Sequence, residues 1–247
     1  MRRFAPFIVL LALLVPTASA AAATPKVRLV DCEAALDQIQ RFAVFEGRMG
    51  SVKGAQRLQM RFTLQVRDAD TPHWHAVATP GFGRWVSSNP GVSRYVYTKR
   101  VENLVAPASY RALVRFRWLG AGGRRLASRL VTSPTCVQPD LRPNLRPLDI
   151  VARPAPGPKT TRYAIQVVNR GRSPASSSEL VLTVGGQALP LQTVEQLEAG
   201  ERRVVSVVGP TCEPGSELTV DVDPRGAVDE RDEADNRLTL PCPPALA

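Results

Sequence analysis

Histidine is almost missing from this 247-residue chain, and the two present, His73 and His75, share one tripeptide with Trp74. Cysteine is sparse as well: Cys32, Cys136, Cys212 and Cys242, none of them in a CxxC pair, which argues against a zinc site. General-base and nucleophilic chemistry draws on a histidine, a free cysteine or paired carboxylates in a pocket. No triad, phosphate-binding loop or zinc signature occurs, so catalysis is not expected. Lysine is scarce too, and arginine supplies nearly all of the 32 basic residues. With abundant Ala, Pro and Val this matches GC-rich coding, so part of the basicity carries no functional meaning. No long stretch has the spacing of an amphipathic helix.

What is present begins with Arg2 and Arg3, an apolar run from Phe7 to Val15, and the small residues Ala18-Ser19-Ala20, the three parts of an export signal. The run is about half of the roughly 20 residues a membrane span needs, and Pro16 ends it. Cleavage after Ala20 is expected, and no cysteine follows to take a lipid. The mature chain is thus expected to be secreted from a bacterium, extracellular or envelope-associated, without a transmembrane segment.

The remainder is long enough for two domains of ordinary size. Its 22 prolines and 17 glycines punctuate short apolar runs, which predicts an all-β chain of two immunoglobulin-like β-sandwiches in tandem. The expected divisions are a signal peptide at 1–20, a basic sandwich at 26–137, a proline-rich linker at 138–147 and a second sandwich at 148–242. Four cysteines allow three pairings. Cys32 with Cys136 and Cys212 with Cys242 is favoured, because each bridge then stays within one domain. In the chain-entropy account these loops stabilise by at most roughly 5 and roughly 3.5 kcal/mol.

Charge is divided unevenly. Residues 21–138 carry 18 basic against 7 acidic side chains, net +11, whereas residues 139–247 carry 12 against 15, net −3. In the basic half, Leu58, Met60, Phe62, Leu64 and Val66 alternate with Gln59, Arg61, Thr63 and Gln65. Tyr110, Ala112, Val114, Phe116 and Trp118 likewise alternate with Arg111, Leu113, Arg115 and Arg117. Both read as half-buried strands. The turn Gly120 to Gly123 leads into residues 124–132 as a hairpin partner. The region 33–41 has room for one helical turn or two.

The outward row Arg111, Arg115 and Arg117, continued by Arg125 and Arg129, is a candidate stripe for an anionic cell-wall polymer or headgroup surface. The competing reading is an ordinary solvated face. His73 and His75 could share a strand side, but no third metal ligand is evident. Trp74, Trp85 and Trp118 fit either sugar stacking or core packing, and Trp118 falls in the inward register.

Leu104-x-x-Pro107-x-x-Tyr110 resembles the tyrosine corner of immunoglobulin-like and fibronectin type III sandwiches, where the hydroxyl bonds upstream backbone. The resemblance covers about residues 101–133. A bridge from Cys32 to Cys136 would join first and last strands, unlike the usual antibody bridge.

The second half shows about seven short apolar runs with turn signals between them. Leu148 to Val151, Tyr163 to Val167, Leu180 to Val184 before Gly185-Gly186, Val204 to Val208, Leu218 to Val222 and Leu238 to Leu240 stand out. Asn169 and Gly171 suit a tight strand exit, with glycine at positive φ. Val168-Asn169-x-Gly171, Leu197-x-Ala199-Gly200 and Val222-Asp223-x4-Val228-x-Glu230-x-x-Glu233-x-Asp235-Asn236 together resemble the CARDB domain, the cell-adhesion-related domain found in bacteria. The likeness spans about residues 144–240. Asp235 stands where Asn is usual, and the Cys212 and Cys242 pair is an addition. The resemblance implies an immunoglobulin-like sandwich and an association with adhesion.

Two readings of the acidic run from Asp221 to Asp235 stand side by side. In one, Asp223, Glu230, Glu233 and Asn236 bond backbone amides across the turn between two strands. In the other, an irregular Ca²⁺ site draws on Asp221, Asp223, Asp229 and Glu230. Asp221-x-Asp223-x-x-Gly226 begins like an EF-hand loop, but Arg225 takes the fifth place, the closing Glu is absent and flanking helices are implausible. No other cofactor is expected. Taken together, the chain is expected to bind an extracellular protein or polysaccharide without catalysis. The alternative is an envelope spacer docked on anionic polymers through its basic half. A nucleic-acid partner is not expected.

Overall fold

The computed structural model describes residues 24–242, so the expected export segment lies outside the described residues. The basic half contains β1 (Lys26–Glu33), β2 (Phe42–Gly50), β3 (Arg57–Asp68), β4 (His75–Val77), β5 (Trp85–Ser87), β6 (Arg94–Glu102), β7 (Ala108–Leu119), β8 (Arg125–Thr132) and β9 (Cys136–Gln138). One sheet runs β1-β2-β6; the other runs β4-β3-β7-β8, with β5 also on β3 and β9 also on β7. The two alternating strands predicted from sequence are β3 and β7. They pair antiparallel from Arg57 opposite Leu119 to Asp68 opposite Ala108, so Leu58 to Val66 and Tyr110 to Trp118 bury on one side. There they meet Ala43, Phe45 and Met49 of β2. Each such large side chain gains about 1.5–3 kcal/mol from leaving water. The segment 33–41 contributes a single 3₁₀ turn, Gln38–Gln40.

Tyr110 closes this sandwich as the sequence predicts. Its hydroxyl accepts from Val105 N (2.9 Å) and donates to Val105 O (3.0 Å). Trp118 is buried and donates Nε1 to Gly50 O at 2.8 Å. Cys32 on β1 bonds Cys136 on β9, which ties the two sheets together.

The second sandwich contains β10 (Leu145–Pro154), β11 (Thr160–Asn169), β12 (Ser178–Val184), β13 (Gln187–Ala188), β14 (Gln192–Val194), β15 (Arg202–Pro210), β16 (Glu217–Val222) and β17 (Arg237–Pro241). Its sheets are β10-β11-β15 and β13-β12-β16-β17, with β14 also on β12. Tyr163, Ile165 and Val167 face Leu180, Leu182, Leu218, Val220 and Val222 across the core. Gly185 and Gly186 turn β12 into β13 at φ 54° and 86°, values that glycine adopts without strain. Cys212 bonds Cys242. The stretch expected as linker is shorter than its prolines suggest. Leu145 to Pro147 already belong to β10, where Leu145 is fully buried. No helix among the described residues is long and apolar enough to cross a membrane.

Candidate functional site

The outer face of the sheet holding β3 and β7 collects the basic residues. Opposite partners in an antiparallel pair share a face, so Arg61 lies beside Arg115, Gln59 beside Arg117 and Gln65 beside Arg111. Two tryptophans, one on β5 and one just ahead of β4, reach onto this face. Trp85 on β5 pairs with Arg61, and its ring carries the guanidinium of Arg117 at 3.6 Å and that of Arg61 at 5.1 Å. Trp74, just ahead of β4, carries Arg111 at 4.1 Å and Arg67 at 5.1 Å. Each contact is worth about 0.5–1 kcal/mol at an exposed site. Arg111 also donates Nε to Gln65 Oε1 at 2.8 Å.

Among the described residues, Arg61, Arg67, Arg111, Arg115, Arg117 and Arg125 form no ion pair with a carboxylate. The resulting field is felt by Arg117. Burial first, then the charges of Arg125, Arg61 and Arg115, lower its pKa from the ordinary arginine value.

Four of the five arginines singled out from sequence lie on this face; Arg129 does not. It sits opposite Phe116, on the core side of the edge strand β8. The reason is a bulge: Trp118 pairs with Ala127 but Leu119 pairs with Arg125, so Leu126 is an extra residue that packs toward the core. A bulge shifts the alternation by one, and Arg125 and Arg129 therefore point to opposite sides. Arg61 and Arg67, absent from the expected stripe, belong to it. The signal was available, because pairing two alternating strands merges their outward residues into one surface.

His73 and His75 are exposed, and His75 Nε2 lies 3.8 Å from Asp68 Oδ2.

At one end of the second sandwich the polar markers are buried together. Asn169, fully buried, accepts through Oδ1 from Asn144 N (3.1 Å) and Gly171 N (2.9 Å). Its Nδ2 donates to Ser173 O (2.8 Å) and Leu197 O (3.0 Å). Glu230, 1% exposed, accepts from Leu145 N and from Asn236 Nδ2. Asp223 accepts from Ala227 N (3.1 Å) and Val228 N (2.8 Å). Asn144 Nδ2 donates to both carboxylate oxygens of Asp235, at 3.1 and 3.3 Å. Glu230 and the Asn144–Asp235 pair bind the start of β10 to the turn between β16 and β17, Asn169 ties Asn144 to the segments after β11 and before β15, and Asp223 closes its own turn.

Residues 138–240 match the CARDB family model. Within the CARDB-matching half, Gly171 corrects one expectation: it is not among the positive-φ glycines. Glycine is required because a Cβ there would overlap the backbone of Pro143 and Arg142.

Among solved structures, the CARDB domain of a Pyrococcus furiosus protein, described in complex with di-metal ions, is 23% identical. The match covers 40% of this chain and 85% of that one, with a TM-score of 0.34. A domain of a Methanosarcina acetivorans protein named for the cell surface is 28% identical, with coverage of 40% and 88% and a TM-score of 0.36. A comparison with curated proteins finds no match.

The four acidic residues considered for Ca²⁺ are not brought together. Asp221 faces Arg237 at 3.5 Å, Asp229 faces Arg142 at 2.7 Å, and Asp223 and Glu230 spend their oxygens on the hydrogen bonds above. Among the described residues no group of three or more His, Cys, Asp or Glu side chains is placed to hold a metal ion. Burial pushes the Glu230 carboxyl up to about 7; Glu233 and Asp223 push the same way, while bonds from Leu145 and Asn236 pull back.

Proposed function

We propose that this chain is a non-catalytic binding module of the cell envelope that docks on an acidic surface polymer through the outer face of the β3–β7 sheet. The observation that carries the reading is the set of six arginines on one face without a carboxylate partner among the described residues. The two disulfides support placement in an oxidising, extracytoplasmic compartment. The CARDB-matching half, net negative, supports a division of labour in which it projects away from an acidic surface. Charge docking between exposed groups weakens as salt screens it. Retention of the chain on immobilised polygalacturonate and on cell-envelope fractions is therefore expected to fall steeply between low and physiological salt. The triple reversal Arg115→Glu, Arg117→Glu, Arg125→Glu is expected to lower it at least tenfold. Unchanged retention in the triple variant would overturn the reading. Salt-insensitive capture of one envelope protein by the C-terminal half would instead favour adhesion through that half.

A further inference from the structure

The basic face is not a uniform sheet of charge. It repeats one arrangement twice: a tryptophan on, or just ahead of, a short strand outside β3, an arginine of β3 and an arginine of β7. Trp74 with Arg67 and Arg111 forms one unit, and Trp85 with Arg61 and Arg117 forms the other. Each tryptophan holds guanidinium planes against its ring, which restricts long side chains that would otherwise lose rotamer freedom on binding. In the first unit Gln65 fixes Arg111 further through its Nε, so the terminal Nη groups remain for a ligand. A planar guanidinium so held matches a carboxylate or phosphate in two-point fashion.

Arg61 and Arg67, like Arg111 and Arg117, are six positions apart along their strands, which at the rise of a strand sets the units about 20 Å apart. Arg115 lies on the same face between the two units. A single acidic sugar reaches one unit only.

We propose that the two tryptophan-braced arginine pairs are separate oxyanion subsites that together select a linear acidic polysaccharide long enough to bridge them, lying along the strands. This rests on the docking face proposed above and adds to it a ligand length and a role for the tryptophans. Trp74 and Trp85 are half-buried, and the part of each ring left to solvent offers apolar contact to sugar C–H groups, which a bare phosphate polymer lacks. The two disulfides favour a setting outside the nucleic-acid-bearing compartment.

Calorimetric titration with galacturonate oligomers of defined length tests the assignment. For the unaltered chain, affinity is expected to rise at least tenfold between the disaccharide and the octasaccharide, in a step rather than in proportion to charge. Trp74→Leu and Trp85→Leu leave net charge unchanged, and each is expected to remove most of that step while leaving disaccharide binding alike. The pair Arg67→Ala, Arg111→Ala gives an independent loss of one unit should a tryptophan variant unfold, which thermal melting would reveal. If octasaccharide binding depends on the arginines but both tryptophan variants bind it as tightly as the unaltered chain, the subsites are refuted and the docking reading stands. If no acidic polymer binds, the docking reading itself fails. Tighter binding of polyphosphate or duplex DNA than of the octasaccharide overturns the assignment to a polysaccharide.

Discussion

The two sandwiches share an architecture and place their polar side chains in opposite ways. In the first, the buried polar side chains are the uncharged Ser88, Ser133 and Gln138, no charged side chain is buried, and six arginines stand on an outer sheet face. In the second, Asp223 and Glu230 are buried with Asn144, Asn169 and Asn236 at one end of the fold. A buried polar group must find its partners or cost about 1–3 kcal/mol, so those side chains are locked to particular backbone amides and to each other. An outward arginine has no such obligation. The second domain therefore uses its buried polar residues to fix its own shape, whereas the first leaves its arginines on the surface.

The disulfides offer the strongest way to sharpen this contrast. Loss of Cys32–Cys136, which spans 104 residues, is expected to destabilise the first domain by up to about 5 kcal/mol; loss of Cys212–Cys242, which spans 30, costs the second up to about 3.5. Denaturant unfolding of Cys32→Ser, Cys136→Ser against Cys212→Ser, Cys242→Ser checks the order. A larger shift in the second pair would mean that its polar network contributes less than argued.

Next in size is Asn169→Ala. It strands the N–H groups of Asn144 and Gly171 and the carbonyl of Ser173, and takes one of two donors from the Leu197 carbonyl, which keeps Ala175 N; it is expected to cost about 3 kcal/mol in the second domain alone. A change within 0.5 kcal/mol, the range of an ordinary surface substitution, would break the comparison.

The third effect is confined to a pH window. Glu230 has its carboxyl raised from an ordinary 4.5 to about 7 in the folded chain. The folded state then holds a proton that the unfolded state has released, so stability falls as pH rises from about 4.5 through 7. Glu230→Gln cannot titrate, and its melting temperature is expected to change less across that window than that of the unaltered chain. Equal slopes would remove Glu230 from the account.

How legible these features were follows from the same contrast. The inward registers of Leu58 to Val66 and Tyr110 to Trp118, the tyrosine corner and both cysteine pairings could be read because alternation, loop length and compartment each constrain them locally. Asp223, Glu230 and Glu233 were readable as groups that bond backbone amides across a turn. Their true reach was not: Glu230 bonds Leu145, 85 residues away in sequence, and no local pattern carries that. Gly171 was read as a φ requirement, yet the cause is the approach of Pro143, again a distant segment. The arginine face was half visible. Its β7 members follow from alternation, its β3 members need the sheet pairing, and Arg129 leaves it because Leu126 is inserted.

That insertion has a second outcome. β8 is an edge strand of its sheet, and an open edge is where foreign strands add. The bulge beside Leu119 interrupts the ladder and twists the rim away, while Arg125 and Arg129, on either side of the strand, would set charge against any incoming chain. The rim of the sheet is thereby discouraged from growing by strand addition.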